Sequence, residues 1–289
     1  MPYPLLAHTG QAHEVITTLT GWDLLKNSWH WDPWAIGGIA LAMGSYLILA
    51  KGRWDKHTYF FTLGNFVLFI ALVSPIATIG ETYLFSVHMV QHLLLEIIAV
   101  PLLILGIPAK MAAYFMRWKP LRSIANVVGT PMIAWMIGVG TLWIWHWPPL
   151  YNLTLKSTTI HFLEHVAFVV SATIFWYALL DPIEKYRLQT PQAIVYLFTA
   201  GLVNTLLAIL LTFAPAGLYP YYLNPRDPLG ALSLIREKWS IDPQMDQQMG
   251  GGVMWVLGGI VFTLILIVIL ARWYASGEED SYDRIPSTR

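Results

Sequence analysis

Cysteine is absent from the 289 residues, which excludes disulfides, thiolate metal sites and cysteine nucleophiles. His, Met, Asp and Glu remain as the available metal ligands. Charge is scarce: Asp, Glu, Lys and Arg make up 12% of the chain, and 17 basic residues cancel 17 acidic ones. No global basic field exists to attract nucleic acid. A basic n-region followed by a short apolar stretch is missing from MPYPLLAHTGQAHEV. No cleaved signal peptide is therefore read, and the first span is expected to do the targeting. No internal repeat is seen.

Apolar residues are abundant instead. Hydrophobic residues account for 56% of the chain, more than one soluble core needs, which places it in lipid. A helix crosses about 30 Å of hydrocarbon with about 20 mostly apolar residues. Seven stretches qualify, near 34–50, 59–80, 84–106, 127–146, 160–180, 191–213 and 252–273. The expectation is an all-α polytopic bundle forming a single transmembrane domain over 1–289. It comprises an external segment 1–33, a seven-helix bundle 34–273 and a loose cytoplasmic tail 274–289. Gly106-Ile107-Pro108 and Trp147-Pro148-Pro149 are natural helix terminators.

Topology follows from the basic residues. Lys51, Arg53, Lys56, Lys110, Arg117, Lys119, Arg122, Lys185, Arg187, Arg272, Arg284 and Arg289 fall on one side, twelve in all. The five on the other side are Lys26, Lys156, Arg226, Arg236 and Lys238. The positive-inside rule then puts the N-terminus outside and the C-terminus in the cytoplasm. Trp143, Trp145, Trp147 and Tyr151 gather at a span end, where aromatic rings anchor at the interface. Residues 214–250 form a long outer loop rich in Pro, Tyr and Asp.

Span three opens SVHMVQHLLLEIIAVP, which sets His88, His92 and Glu96 at i, i+4 and i+8 on one helical face. Span five opens TTIHFLEHVAF, with His161 and His165 again four apart and Glu164 just before the second. Both pairs lie in the first two turns below the outer surface, within roughly 10 Å of it. His146 ends span four on the same side, and Asp246, Met249 and Met254 reach that level from span seven. A lone membrane histidine is commonly a packing residue satisfied by a carbonyl. Two pairs and a fifth histidine at one depth point to a site, because ionisable side chains inside spans are costly and pair with one another or with ions.

Imidazole with thioether suits copper, and zinc remains open. His88, His92, His161 and His165 form the expected primary shell, with His146, Asp246 and Met254 as accessory ligands. Glu96 and Glu164 are read as carboxylates that orient the imidazoles, with direct ligation open. His8, His13 and His30 are isolated external histidines that can serve as capture ligands. His161-Phe-Leu-Glu164-His165 spells the H-x-x-E-H string of one class of zinc peptidases, but nothing else here supplies that pattern. Desaturase-type di-iron sites need an H-x-x-H-H box, which is lacking. A bis-His haem between His92 and His165 is a further alternative.

These motifs resemble the multi-span CtaG family of cytochrome c oxidase assembly factors, associated with caa(3)-type oxidases. The resemblance runs from Trp31-Asp32-Pro33 through span seven. It includes Ser74-Pro75, the His88 to His92 box leading to Pro101, Gly106-Ile107-Pro108 and Trp145-His146-Trp147-Pro148. It continues with Tyr151, the His161 to His165 box, Phe175-Trp176, and Asp246-Gln247 followed by Gly251 and Met254-Trp255. The family shares only a name with a single-span copper chaperone, which this chain does not resemble. The resemblance implies a non-catalytic role in maturing the oxidase at the bacterial inner membrane. It also implies oxidase subunits and other copper chaperones as partners, and copper for the outer-side centres as cargo. The copper-resistance-type membrane domain that some members add is not read here, so no fused transport function is implied. Two other readings use the same residues: an intramembrane metalloenzyme or haem protein, and a metal-free scaffold in which the histidines are polar glue.

Overall fold

The computed structural model describes residues 19–183 and 187–282, with only the backbone course for 276–282. His8, His13, Lys185 and the tail beyond 282 lie outside the described residues. Among the described residues the regular structure is helical, with no strand.

Helix starts are set by side-chain caps. Thr20 and Asp23 form a capping box for α1 (Gly21–Asn27). Asp32 caps α2 (Pro33–Leu49), where Pro33 takes the first-turn position that needs no N–H. The Asp55 carboxylate accepts from the N–H groups of His57 and Thr58, at 2.9 and 3.0 Å, at the start of α3 (Lys56–Val73). There follow α4 (Pro75–Thr82) and α5 (Phe85–Leu105), whose middle winds as a π-turn over Leu94–Ala99. Next come α6 (Ala109–Phe115), α7 (Lys119–Val128), α8 (Pro131–Trp145) and α9 (Pro148–Thr154). The chain ends in α10 (Thr158–Leu180), α11 (Thr190–Phe213) and α12 (Pro243–Ala275), the last with a second π-turn over Met254–Gly258.

The apolar stretches coincide with helices, and three boundaries move for local reasons. The stretch expected at 59–80 breaks at Ser74, whose extended backbone (ψ 174°) precedes a proline that cannot donate the next hydrogen bond. The stretch expected at 127–146 starts at Pro131, because α7 and α8 meet at an 80° bend. The last helix starts at Pro243 rather than near 252. Asp242 caps it by accepting from Met245 N at 2.8 Å, and its first turns are too polar to register as apolar.

Among the described residues five helices, α3, α5, α10, α11 and α12, are long and apolar enough to cross a membrane, and six if α7 with α8 is one bent span. At 17 residues α2 is apolar but shorter. Large apolar side chains face outward along these helices, among them Ile48, Leu206, Leu264 and Ile267. Lipid accommodates such a surface and water does not.

The bundle is arranged around α5, which packs against α3, α4, α10 and the first turns of α12. Its own first residue lacks a local cap, since Leu84 offers no side-chain acceptor. Asp246 of α12 supplies one from 160 residues away. Its carboxylate accepts from Phe85 N at 2.7 Å, Ser86 N at 3.0 Å and Ser86 Oγ at 2.6 Å. The crossing is close because Gly250 has no Cβ; one there would collide with the Phe85 ring. A negative charge at a helix N-terminus also meets the positive end of the helix dipole.

Candidate metal centre

One end of the bundle holds a buried aromatic and sulfur-containing layer of Phe85, Met89, Tyr151, Phe168, Tyr219 and Tyr222. Within it, four spacings join the histidines of α5 and α10. His88 Nε2 is 2.8 Å from His92 Nε2. The His161 and His165 ring centroids lie 4.2 Å apart, and that of His88 lies 5.6 Å from His161 and 6.4 Å from His165. Two triads bring one ligand atom each within 4.8 Å of one another: His88, His161 and His165, and His88, His92 and Glu164. His88 belongs to both.

Several donors in this group are buried with no hydrogen-bond partner: Nδ1 of His92, Nε2 of His161 and His165, and both carboxylate oxygens of Glu164. Such groups are costly to bury alone. His161 and His165 share one triad with His88 and Glu164 shares the other, an arrangement that suits a cation. His161 Nε2 also has Glu81 Oε1 at 3.7 Å. Burial pushes the Glu81 carboxyl, which lies in the last turn of α4, up to about 7.

Hydrogen bonds determine which nitrogens are free. Tyr222 donates its hydroxyl proton to the Gly80 carbonyl at 2.8 Å, so toward His88 Nδ1, 3.3 Å away, it accepts. His88 therefore carries its proton on Nδ1 and presents a lone pair at Nε2. His92 must then donate from Nε2 to His88, which leaves His92 Nδ1 unprotonated. Glycine is required at position 80, since a Cβ there would come within 2.8 Å of His88 N and 2.9 Å of His88 Cα.

The remaining residues singled out from the sequence sit in different places. His146 caps α8, donating from Nδ1 to the Leu142 carbonyl at 2.7 Å, with its Nε2 3.4 Å from Met89 Sδ. Its ring lies 6.0 Å from that of His92. Asp246 spends both oxygens on the start of α5. Met254 lines a cavity of about 190 Å³ that His92, His146, Met89 and Glu96 also line. Glu96 joins neither triad, because the π-turn at Leu94–Ala99 changes the phase of α5 just after His92. Met249 is exposed, as is His30, whose backbone N–H is fixed on the Val73 carbonyl at 2.9 Å.

The profile described as cytochrome c oxidase caa3 assembly factor (Caa3_CtaG) matches residues 42–276. The chain belongs to that family. The CtaG match takes in α3 to α12 and thus all five histidines of the cluster. An uncharacterised protein of Mycobacterium leprae is 22% identical over 269 residues, covering 85% of this chain and 39% of the relative. Uncharacterised proteins of Mycobacterium bovis and Mycobacterium tuberculosis are each 23% identical over 208 residues, covering 66% of this chain and 30% of theirs. The chain thus spans well under half the length of these curated relatives. No solved structure matches.

Four residues around the histidine cluster were not legible in the sequence: Tyr222, Gly80, Glu81 and Met89. Only Met89 left a trace, as the neighbour of His88 in the helical box. Gly80 and Glu81 lie in the last turn of α4 and Tyr222 in the short turn Pro220–Leu223, where no apolar period reports which way a side chain points.

Proposed function

We propose that this chain carries copper as cargo during assembly of cytochrome c oxidase. The ion would be held among His88, His92, His161 and His165 at the outer end of the bundle, with Glu164 as a fifth donor. Family membership supports the assembly role. The observation that carries the metal reading is the set of buried, unpartnered donors converging from α5 and α10. Carriage is ligand exchange: a bound ion replaces the proton shared between His88 and His92, and a recipient's ligands displace the imidazoles in turn. His146, Met254 and Asp246 are accessory positions in this reading, and Asp246 acts through the placement of α5.

The reading includes a bacterial inner-membrane location, seven spans and an external N-terminus, supported by the twelve-to-five division of basic residues. Oxidase subunits and soluble copper chaperones are the partners it requires.

The test is oxidase turnover and copper per haem in membranes of a deletion strain across a copper series, beside a strain carrying His88→Ala with His165→Ala. Both strains should make oxidase subunits that are short of copper and partly rescued by added copper, because mass action favours the unassisted route. Full copper content and turnover in the double variant at limiting copper would overturn the metal mechanism and favour a scaffold. A haem spectrum in the purified protein would overturn it in favour of the haem reading.

A further inference from the structure

His146 faces a partner that cannot complete a hydrogen bond. The Leu142 carbonyl only accepts, so the proton of the neutral ring sits on Nδ1. Nε2 therefore presents a lone pair, and what it meets at 3.4 Å is the thioether sulfur of Met89, which also has only lone pairs to offer. Neither of the two groups around this ring carries a negative charge that would hold it as an imidazolium. Both side chains are almost fully buried, Met89 completely and His146 to 3% exposure. Two electron-pair donors held face to face in a buried layer repel, and a cation between or beside them relieves the repulsion.

A third donor stands nearby. The chain of hydrogen bonds from Gly80 through Tyr222 and His88 leaves His92 Nδ1 unprotonated, buried and without a partner. Its ring centroid is 6.0 Å from that of His146, and both rings line the same cavity of about 190 Å³ as Met89 and Met254. That space adjoins the four-histidine group through His92, whose other nitrogen touches His88.

We infer that Met89, His146 and His92 Nδ1, with Met254 at the cavity wall, form a second station selective for a soft monovalent ion. Thioether sulfur prefers Cu(I), and Ag(I) by the same softness, whereas zinc and Cu(II) favour the nitrogen and oxygen donors of the outer group. His92 is the shared ligand: it offers Nδ1 to this station while its proton sits on Nε2, and Nε2 to the other once that proton has moved to Nδ1, so an ion passes between them by ligand exchange coupled to the tautomer shift. Only the identity of the ion as Cu(I) rests on the reading above; the sulfur-containing station itself does not.

The test is X-ray absorption at the copper K-edge of the full chain, purified anaerobically and loaded with Cu(I), with its methionines replaced by selenomethionine. Ag(I) binding stoichiometry is measured in parallel. Metal–selenium scattering should appear in the unsubstituted sequence. Met89→Leu, which conserves volume, should abolish most of it and lower the Ag(I) count by one. His161→Ala with His165→Ala should reduce bound copper yet leave the selenium shell. A purely nitrogen and oxygen shell, with binding untouched by Met89→Leu, overturns the second station and leaves the outer histidine reading intact. A selenium shell with no copper lost in the His161, His165 double variant upholds this station and counts against the outer one. Absence of any bound Cu(I) overturns this station, and the same measurement with Cu(II) then decides the outer group. Should Met89→Leu fail to fold, the scattering from the selenomethionine chain alone still decides.

Discussion

The hydroxyl of Tyr222 lies 3.3 Å from Nδ1 of His88 while giving its own proton to the carbonyl of Gly80. A residue of the Pro220–Leu223 turn thereby selects the free nitrogen of a histidine on another element. Tyr151 adds a second contact to the same hydroxyl at 3.2 Å, and burial pushes the Tyr222 phenol well above its ordinary range, so it stays a neutral donor.

Tyr222→Phe removes that selection and little else, because the ring keeps its packing. Metal affinity should fall by about 10–100-fold, as is usual when the partner of a ligating imidazole is lost. Thermal stability should change far less. Competition with a chromophoric chelator measures the affinity, and an unchanged constant would mean that Tyr222 only fills space.

Asp246 should behave as a structural acceptor. Asp246→Ala leaves two backbone N–H groups and a hydroxyl without their acceptor, at a cost on the order of 1–3 kcal/mol or more. Asp246→Asn, which keeps one acceptor oxygen, should cost less. Unfolding in detergent ranks the three proteins, and metal per folded molecule should be the same in all. Loss of metal in Asp246→Asn at full stability would instead make Asp246 a ligand.

Position 80 tests how closely α4 must approach α5. In Gly80→Ala the new methyl meets the backbone of His88, which cannot rotate away as a side chain can. The overpacking should cost about 1–3 kcal/mol and lower metal affinity together with stability. Gly140→Ala is the control, since a Cβ there meets nothing within 4 Å. Equal behaviour of the two variants in a melting experiment would remove the steric argument.

The start of α3 carries a pH signature. The N–H groups of Thr58 and then His57 hold the Asp55 carboxyl below the usual carboxylate range. A carboxyl lowered in the native state contributes stability that is fully present above its unfolded value, near 3.9, and is lost as pH falls through the native value. Asp55→Ala should therefore melt below the unsubstituted chain at about pH 7, with the gap closing as the medium is taken below about pH 3. A gap that persists in acid would assign the effect to packing.

The helical frame was legible in the sequence because apolar runs of span length have few alternatives in lipid, and both histidine boxes fell on helix faces as their four-residue spacing implies. What stayed hidden depends on contacts between distant segments. Nothing local to Leu84 or Asp246 tells that one caps the other's helix. The break at Ser74 was written in Pro75, yet the apolar run continued through it. Glu96 sat at the right interval from His92 and still left the histidine group, because a π-turn cannot be told from an α-turn by hydrophobic spacing. Residues 214–250 read as a long loop rich in Pro, Tyr and Asp, and two of its tyrosines, Tyr219 and Tyr222, close over His146 and His88.

The π-turn at Leu94–Ala99 also divides α5 into two separately phased halves. One residue of a regular helix turns the chain by about 100°. The extra residue housed in the wide turn therefore orients Val100–Leu105 toward α3 and α10 independently of how Phe85–Leu93 addresses the histidines. Removing a single residue from this turn would restore a uniform helix and misdirect one half or the other. Substitutions in either half leave this relative rotation in place, which is kept only as long as the length between His92 and Pro101 stays the same.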